Sequence, residues 1–487
     1  VLSGELDPGV DRRSGVSEEE IAAGWRMACR HSVDGDLVLE VRQWDSPILT
    51  DETPFAFTPR DGYGVAVDLG TTTLAAQLLD LRSGEVKVVR TALNPQAPFG
   101  SDIMHRVAAA VAEGKQGALQ SLIRKQIGRM IDEMTSGLEP GVRIPLREIV
   151  LVGNTPMHNL FCGIDVSPLA GHPFHQPDAG LKALSARDVG WDLVGDPTVQ
   201  FLPAMGGFVG SDILAGVIAT RMHEDERLNV LVDLGTNGEL VVGNRDGLLC
   251  ASTAAGPAFE AATIGMGMRA TTGAIHEVTV ADGSLVCGVL GNGPAQGICG
   301  SGLVDAIAAC LDLDRIAPTG RIRDGAMSIP LADSVVLSQR DVRELQLAKG
   351  AIAAGIQILL DTWGASLDDV THCYLAGAFG NYIRLSSARR IGLLKFPLER
   401  IIPSGNTALL GAKLALFADE GDRAYAGVLE RVRHISLNAA PRFHDIYVDE
   451  MELRAPVGVE ELRRRERAGG GRESSEIMAD LEKRTSE

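Results

Sequence analysis

The sequence predicts an α/β protein whose main body is built from two similar halves. Three observations predict it. From residue 62 to about 448, strand-like apolar runs alternate with helical stretches, the pattern of α/β architecture. An apolar strand ending in Asp-Leu-Gly-Thr, followed by a second apolar strand, occurs twice, at 65–74 and 230–240. The 487 residues are 45% apolar and 23% charged, which gives an ordinary core and, at roughly 100–200 residues each, two to four domains.

Taken in order, residues 1–42 read as a small unit. Ser17-Glu18-Glu19-Glu20 resembles a capping box at a helix start. A short amphipathic pattern runs through Trp25 and Cys29, and 36–41 is strand-like. Residues 43–61 carry Pro47, Pro54 and Pro59 with little periodicity, so they form a linker. The two halves are expected at 62–228 and 229–450. Residues 451–487 are charge-dense and include Gly469-Gly470-Gly471, a charged tail outside the core. The chain starts at Val1 with no charged-then-apolar signal segment, and is expected to be a piece of something longer.

The formal net charge of −18 argues against a general nucleic-acid or anionic-membrane binder, which needs clustered Lys and Arg. The longest strongly apolar run, 351–360, lies between Lys349 and Asp361 and is too short to span a bilayer. Seven cysteines are scattered without a CxxC pair. That spacing speaks against a zinc site or disulfide framework and for a reducing, cytoplasmic setting. His158, His172 and His175 show no metal-binding spacing and are expected to be structural.

The repeated turn carries the chemistry. A strand–Asp-Leu-Gly-Thr–strand hairpin presents backbone N–H groups and hydroxyls at one strand end. Glycine permits close approach, and successive amides form an anion nest. Gly70, Thr71, Thr72 and Thr73 in the first copy, and Gly235, Thr236, Asn237 and Gly238 in the second, are therefore candidate phosphate contacts. Asp68 and Asp233 are candidate Mg²⁺ contacts, direct or through water, because Mg²⁺ takes one or two carboxylates plus phosphate oxygens. The alternative is two hairpins whose Asp and Thr only cap turns; two copies with the same carboxylate favour a nucleotide clamp. The sequence contains no GxxxxGK[ST], no GxGxxG after a first strand and no HExxH.

With further segments, the two turns resemble the ASKHA superfamily of acetate and sugar kinases, heat-shock chaperone ATPases and actin. Asp68–Thr73 resembles its first phosphate motif and Asp233–Glu239 its second. Gly207-Phe208-Val209-Gly210-Ser211-Asp212, with the helix running to Ala219, resembles the first connecting helix. His372 to Asn381 resembles the adenosine motif, and Gly405-Asn406-Thr407-Ala408 to Leu416 the second connecting helix. The resemblance implies duplicated RNase H-like domains that bind ATP. It implies nucleotide contacts from Gly377, Ala378, Gly380 and Asn381. Gly300, Ser301 and Gly302 are either base or phosphate contacts or a plain helix start. Asp212 either orients the attacking water or caps its helix. Glu239 is either a metal or water contact or a solvent-facing strand residue. Asp68, Asp212 and Asp233 are the expected catalytic set.

Within the superfamily, four more segments resemble the RACo-like reductive activators of corrinoid proteins. They are Asn94-Pro95-Gln96 with Gly100-Ser101-Asp102, Gly153-Asn154-Thr155-Pro156-Met157-His158, Gly297-Ile298-Cys299-Gly300-Ser301-Gly302-Leu303, and Ser338-Gln339-Arg340-Asp341 to Lys349. That family joins a β-grasp ferredoxin domain holding a 2Fe–2S cluster to an ASKHA ATPase. Here only Cys29 stands in residues 1–42, in a segment resembling that of the fourth cluster ligand. A ferredoxin remnant unable to hold a four-Cys cluster is expected. The resemblance implies one-electron reduction of a Co(II) corrinoid protein to Co(I), with ATP, Mg²⁺ and an upstream electron donor, and is compatible with a homodimer. A small-molecule kinase of the same fold, with Asp102 or Asp212 as its acid/base group, is the alternative.

Overall fold

The computed structural model describes residues 57–456, except 101, 137–142, 172–173, 175, 177, 236, 257, 262, 378 and 419–423. The expected N-terminal unit with Cys29, and most of the expected linker and tail, lie outside the described residues. So do His172, His175, Thr236 and Ala378.

Two six-stranded sheets organise the body. Strands β1 (Tyr63–Leu69), β2 (Thr73–Asp80), β3 (Val86–Leu93), β4 (Leu146–Gly153), β5 (Lys182–Ser185) and β6 (Thr198–Phe201) form the first, in the order β3-β2-β1-β4-β6-β5. The second begins with β7 (Asn229–Leu234), β8 (Gly238–Asn244) and β9 (Gly247–Thr253). Two small sheets then intervene, one of β10 (Ala274–Ala281), β11 (Ser284–Val289) and β12 (Gly297–Ile298), the other of β13 (Ser328–Ala332) and β14 (Val335–Ser338). The second large sheet is completed by β15 (His372–Ala376), β16 (Ile401–Gly405) and β17 (Val432–His434), in the order β16-β15-β7-β8-β9-β17.

The two sheets repeat one topology. In each, three consecutive strands pair antiparallel. Two later strands then add in parallel on the far side of the first, β4 and β6 in one half, β15 and β16 in the other. This is the duplicated RNase H-like arrangement of the ASKHA fold.

The central strands are buried on both faces, so they read as continuous apolar runs rather than alternating ones. Val65, Val67 and Leu69 of β1 face a core belonging to the first half. Val230, Val232 and Leu234 of β7 face a core belonging to the second. The opposite faces, Ala66, Val150 and Val152 on one sheet and Leu231 and Val241 on the other, share a third core. That shared core is filled by two helices, Ser211–Thr220 and Thr407–Phe417. The second packs under β1 and β4 of the opposite half and against the first helix. A Cβ on Gly411 would lie 2.2 Å from Ala215 O, so glycine is required where the helices cross.

The folded body extends past the expected boundary at 450. Leu453 is fully buried and its N–H donates to Pro318 O. Lys349, 1% exposed, donates to Glu452 O at 2.8 Å and to Glu450 O, tying this end of the chain to helix Gln339–Trp363. Burial lowers the Lys349 pKa to about 8. At the other end, Phe57 of the expected linker packs edge-on against Phe417. No described helix is long and apolar enough to cross a membrane.

Substituting Gly411→Ala should cost about 2–4 kcal/mol in urea unfolding, because the added methyl must push two buried helices apart. Gly117→Ala, where a Cβ meets open space, should stay within about 0.5 kcal/mol of the parent.

Candidate nucleotide site

Both Asp-Leu-Gly-Thr segments are hairpin turns at the ends of equivalent strands, but their registers differ. In the first, Leu69 pairs with Leu74 and Asp68 with Ala75. In the second, Leu234 pairs with Gly238 and Asp233 with Glu239. The second turn is one residue shorter, and a one-residue slip turns every following side chain to the other face. The slip sets a carboxylate directly across from Asp233, where the first hairpin has a methyl group. Glu239 is consequently 7% exposed, not solvent-facing.

Four carboxylates from both halves meet here. Asp68 is pushed up to about 6 by burial, opposed by a hydrogen bond from Asn406. Asp233 is pushed up to about 7 by burial and then by Asp68. Asp212 rises to about 8 through burial, then Asp233, then Asp68. Glu239 rises well above the usual carboxylate range through burial, then Asp212 and Asp233. Crowding by protein and by like charge both favour the neutral acid. Asp212 is not the helix cap: that position is Gly210, and Asp212 sits in the first turn, its Oδ1 accepting from Ile213 N at 2.9 Å.

The surroundings fix these groups. Ser211 Oγ exchanges hydrogen bonds with Gly153 N and Gly153 O, locking the start of the Asp212 helix to the end of β4. Asn154 caps helix Thr155–Cys162 and donates to Thr71 Oγ1 at 2.9 Å. Asn94 donates to Gly70 O at 3.0 Å. A Cβ at Gly70 would lie 2.5 Å from Thr73 O, whereas at Gly235 the nearest atom is 3.8 Å away. Gly70 is thus demanded by its own turn, and Gly235 leaves open space beside the second. Thr72 Oγ1 reaches across to Glu260 Oε2 at 3.4 Å.

The adenosine-like segment stands beside the second turn. Gly377 has φ +89°, and a Cβ there would lie 2.8 Å from Asp233 Oδ1. Phe379 packs on Phe259 with centroids 5.0 Å apart, and Gly380 lies against Leu375. Gly300 and Gly302 meet the backbone at Phe259 O and Ile275 O so closely that neither tolerates a Cβ. Ser301 Oγ donates to His276 O at 2.9 Å. Packing alone therefore accounts for this glycine-serine-glycine helix start. Asn406, Asn94, Asn154 and Glu260 contact the turns although sequence reading assigned them no role there. The first three stood in motifs already singled out; Glu260 had no local signal.

Among the described residues, no three His, Cys, Asp or Glu side chains converge in a metal-chelating group. The carboxylates are close enough to repel one another without forming a chelate. That donor set fits a hard cation sharing carboxylate, water and phosphate oxygens, as Mg²⁺ does.

Two RNase H-like halves meeting at paired Asp-Gly turns define an ASKHA-class nucleotide-binding protein. Residues 227–457 match the C-terminal ASKHA domain of RACo, and residues 63–225 match the RACo middle region. The chain belongs to the RACo family of reductive activators. It is 33% identical over 415 residues to a corrinoid activation enzyme, RamQ, of Eubacterium limosum, covering 79% of this chain and 69% of the relative. It is 27% identical over 428 residues to a [Co(II) methylated amine-specific corrinoid protein] reductase of Methanosarcina barkeri, covering 80% and 76%. A solved reductive activator for a corrinoid, iron-sulfur protein superposes with a TM-score of 0.72 at 29% identity, covering 81% of this chain and 67% of that one.

An acid whose folded pKa is raised destabilises the protein once the unfolded chain has released the proton that the fold retains. Stability from this cluster is therefore complete below about pH 4 and falls as pH rises towards about 8. Asp212→Asn should accordingly be more stable than the parent without nucleotide, by on the order of 2 kcal/mol at pH 8 and by almost nothing at pH 4. Urea unfolding at the two pH values checks this.

Proposed function

We propose that this chain is the ATPase part of a reductive activator that returns a Co(II) corrinoid protein to Co(I). The observation that carries the proposal is the grouping of Asp68, Asp212, Asp233 and Glu239, from both halves, closely enough that their carboxylates perturb one another. The names of its relatives, an activation enzyme and a reductase, favour this reading over a small-molecule kinase.

Asp68 and Asp233 would hold Mg²⁺, which when bound supplies charge neutralisation to the triphosphate. Gly70, Thr71, Thr72, Thr73, Gly235, Thr236, Asn237 and Gly238 would surround the phosphates. Gly377, Ala378, Gly380 and Asn381 would approach the nucleoside. Asp212 would accept a hydrogen bond from the attacking water, and its raised proton affinity would let it take the proton as the oxygen bonds to Pγ and the Pγ–Oβ bond breaks. Glu239 stands beside it, held in its neutral form by burial and then by Asp212 and Asp233.

The same charges explain why hydrolysis would do mechanical work. Asp68 belongs to one half and Asp233 and Glu239 to the other, so their repulsion opposes approach of the halves. A ligand that neutralises them favours the closed state by the difference in its affinity for the two.

The reduction itself consumes one electron per cobalt. A donor a few hundred millivolts too weak leaves several kcal/mol to be supplied, at about 1.4 kcal/mol per 59 mV. A 2Fe–2S centre belongs to the proposal only for a full-length protein. The six described cysteines are all free thiols. An upstream electron donor, a homodimer and a cytoplasmic location are further parts of the proposal.

The test is conversion of a Co(II) corrinoid protein to Co(I), followed by absorbance, with the full-length protein and a chemical reductant. Conversion should require Mg·ATP and fall at least about 100-fold in Asp233→Asn. Equal conversion without ATP contradicts the proposal, as does phosphoryl transfer to a sugar or short acid.

A further inference from the structure

Asn406 uses both ends of its amide at the junction of the halves. Its Oδ1 accepts from Leu409 N at 2.8 Å, capping helix Thr407–Phe417. Its Nδ2 donates to Asp68 Oδ2 at 2.9 Å, joining residues 338 positions apart. The cap belongs to the helix that packs beneath β1, and the carboxylate belongs to the end of β1 itself. One side chain therefore fixes the connecting helix of the second half to the metal-facing carboxylate of the first.

The chemistry of this contact is specific. An aspartate oxygen bonded to an amide N–H keeps lone pairs for a cation, yet loses its freedom to rotate. Asp68 is the only one of the three aspartates in the cluster whose described partners include a side-chain donor from the opposite half. A cap alone does not call for asparagine, since Ser and Asp cap equally well. Neither of those can also donate to Asp68: serine is too short, and aspartate has no N–H.

We propose that Asn406 is a positioning residue for Mg·ATP. It aims the Asp68 carboxylate and couples its occupancy to the second connecting helix. Any rotation of that helix turns Asp68, and any pull on Asp68 is felt at the helix start. The proposal rests on the nucleotide reading of the Asp68–Asp233 site.

Three variants separate the two jobs of Asn406. Asn406→Ser and Asn406→Asp keep a helix cap and lose the Asp68 bond; Asn406→Ala loses both. The measurements are melting temperature, Mg²⁺-dependent ATP affinity by calorimetry, and steady-state kcat and KM. The Ser variant should melt within about 2 °C of the parent, whereas the Asp variant, which sets another carboxylate against Asp68, should melt lower at neutral pH. They should bind Mg·ATP about 10-fold more weakly and turn over at least about 10-fold more slowly, with binding of Mg²⁺-free ATP unchanged. The Ala variant should lose stability as well, at every pH, because its helix cap is gone. Parent-like Mg·ATP affinity and kcat in the Ser and Asp variants overturn the role of Asn406 while leaving the site reading intact. Failure of the parent to bind Mg·ATP overturns both.

Discussion

Burial of carboxylates at the junction of the two halves, reinforced by their mutual repulsion, is the constraint on which the rest depends. Four acidic side chains sit where burial and like charge make ionisation expensive. Such a cluster weakens the fold unless protons or a cation neutralise it. Under the proposed function, a protein with three well-packed cores here exchanges stability for chemistry. The scaffold answers that strain with rigidity: Ser211, Asn154, Asn94 and Asn406 each pin a neighbouring strand end or helix start.

Duplication gives the site its symmetry, and one register slip breaks it. The two hairpins occupy the same place in the same topology. The shorter second turn brings Glu239 opposite Asp233, while the first hairpin offers Ala75. The halves are thus unequal in charge at equivalent positions. Under the proposed function each half contributes one metal-facing carboxylate, Asp68 and Asp233, and the second half adds Glu239 beside them. The connecting helices complete the linkage, since their crossing at Gly411 and Ala215 admits no intervening methyl. A close crossing of this kind passes small rotations from one half to the other without slack.

Much of this was legible in the sequence. The repeated Asp-Leu-Gly-Thr turns and the alternating apolar runs specify the duplicated α/β body, because local patterning and global fold agree there. Asp68, Asp233 and Asp212 stood out for the same reason: each follows an apolar strand or opens a helix. The environment of Glu239 was not legible, since it depends on how many residues a turn uses. Nor was the use of Asn406, whose motif signals only a cap; its second partner lies 338 positions away. Glu260 carries no local signal at all, because long-range contacts across a junction leave no periodicity. Gly300 and Gly302 show the converse. A glycine-rich helix start suggests ligand approach, yet here the neighbouring backbone already fills the space.

The most direct measurement is the proton balance of Mg·ATP binding, by calorimetry at pH 7 in two buffers of different ionisation enthalpy. Carboxylates held protonated by burial and repulsion must release protons when Mg²⁺ joins them. Release of about one proton or more per nucleotide bound is expected, reduced in Asp212→Asn. Binding with no net proton release, or none of the Mg²⁺ dependence, would show that Asp68 and Asp233 do not share a cation within this carboxylate cluster.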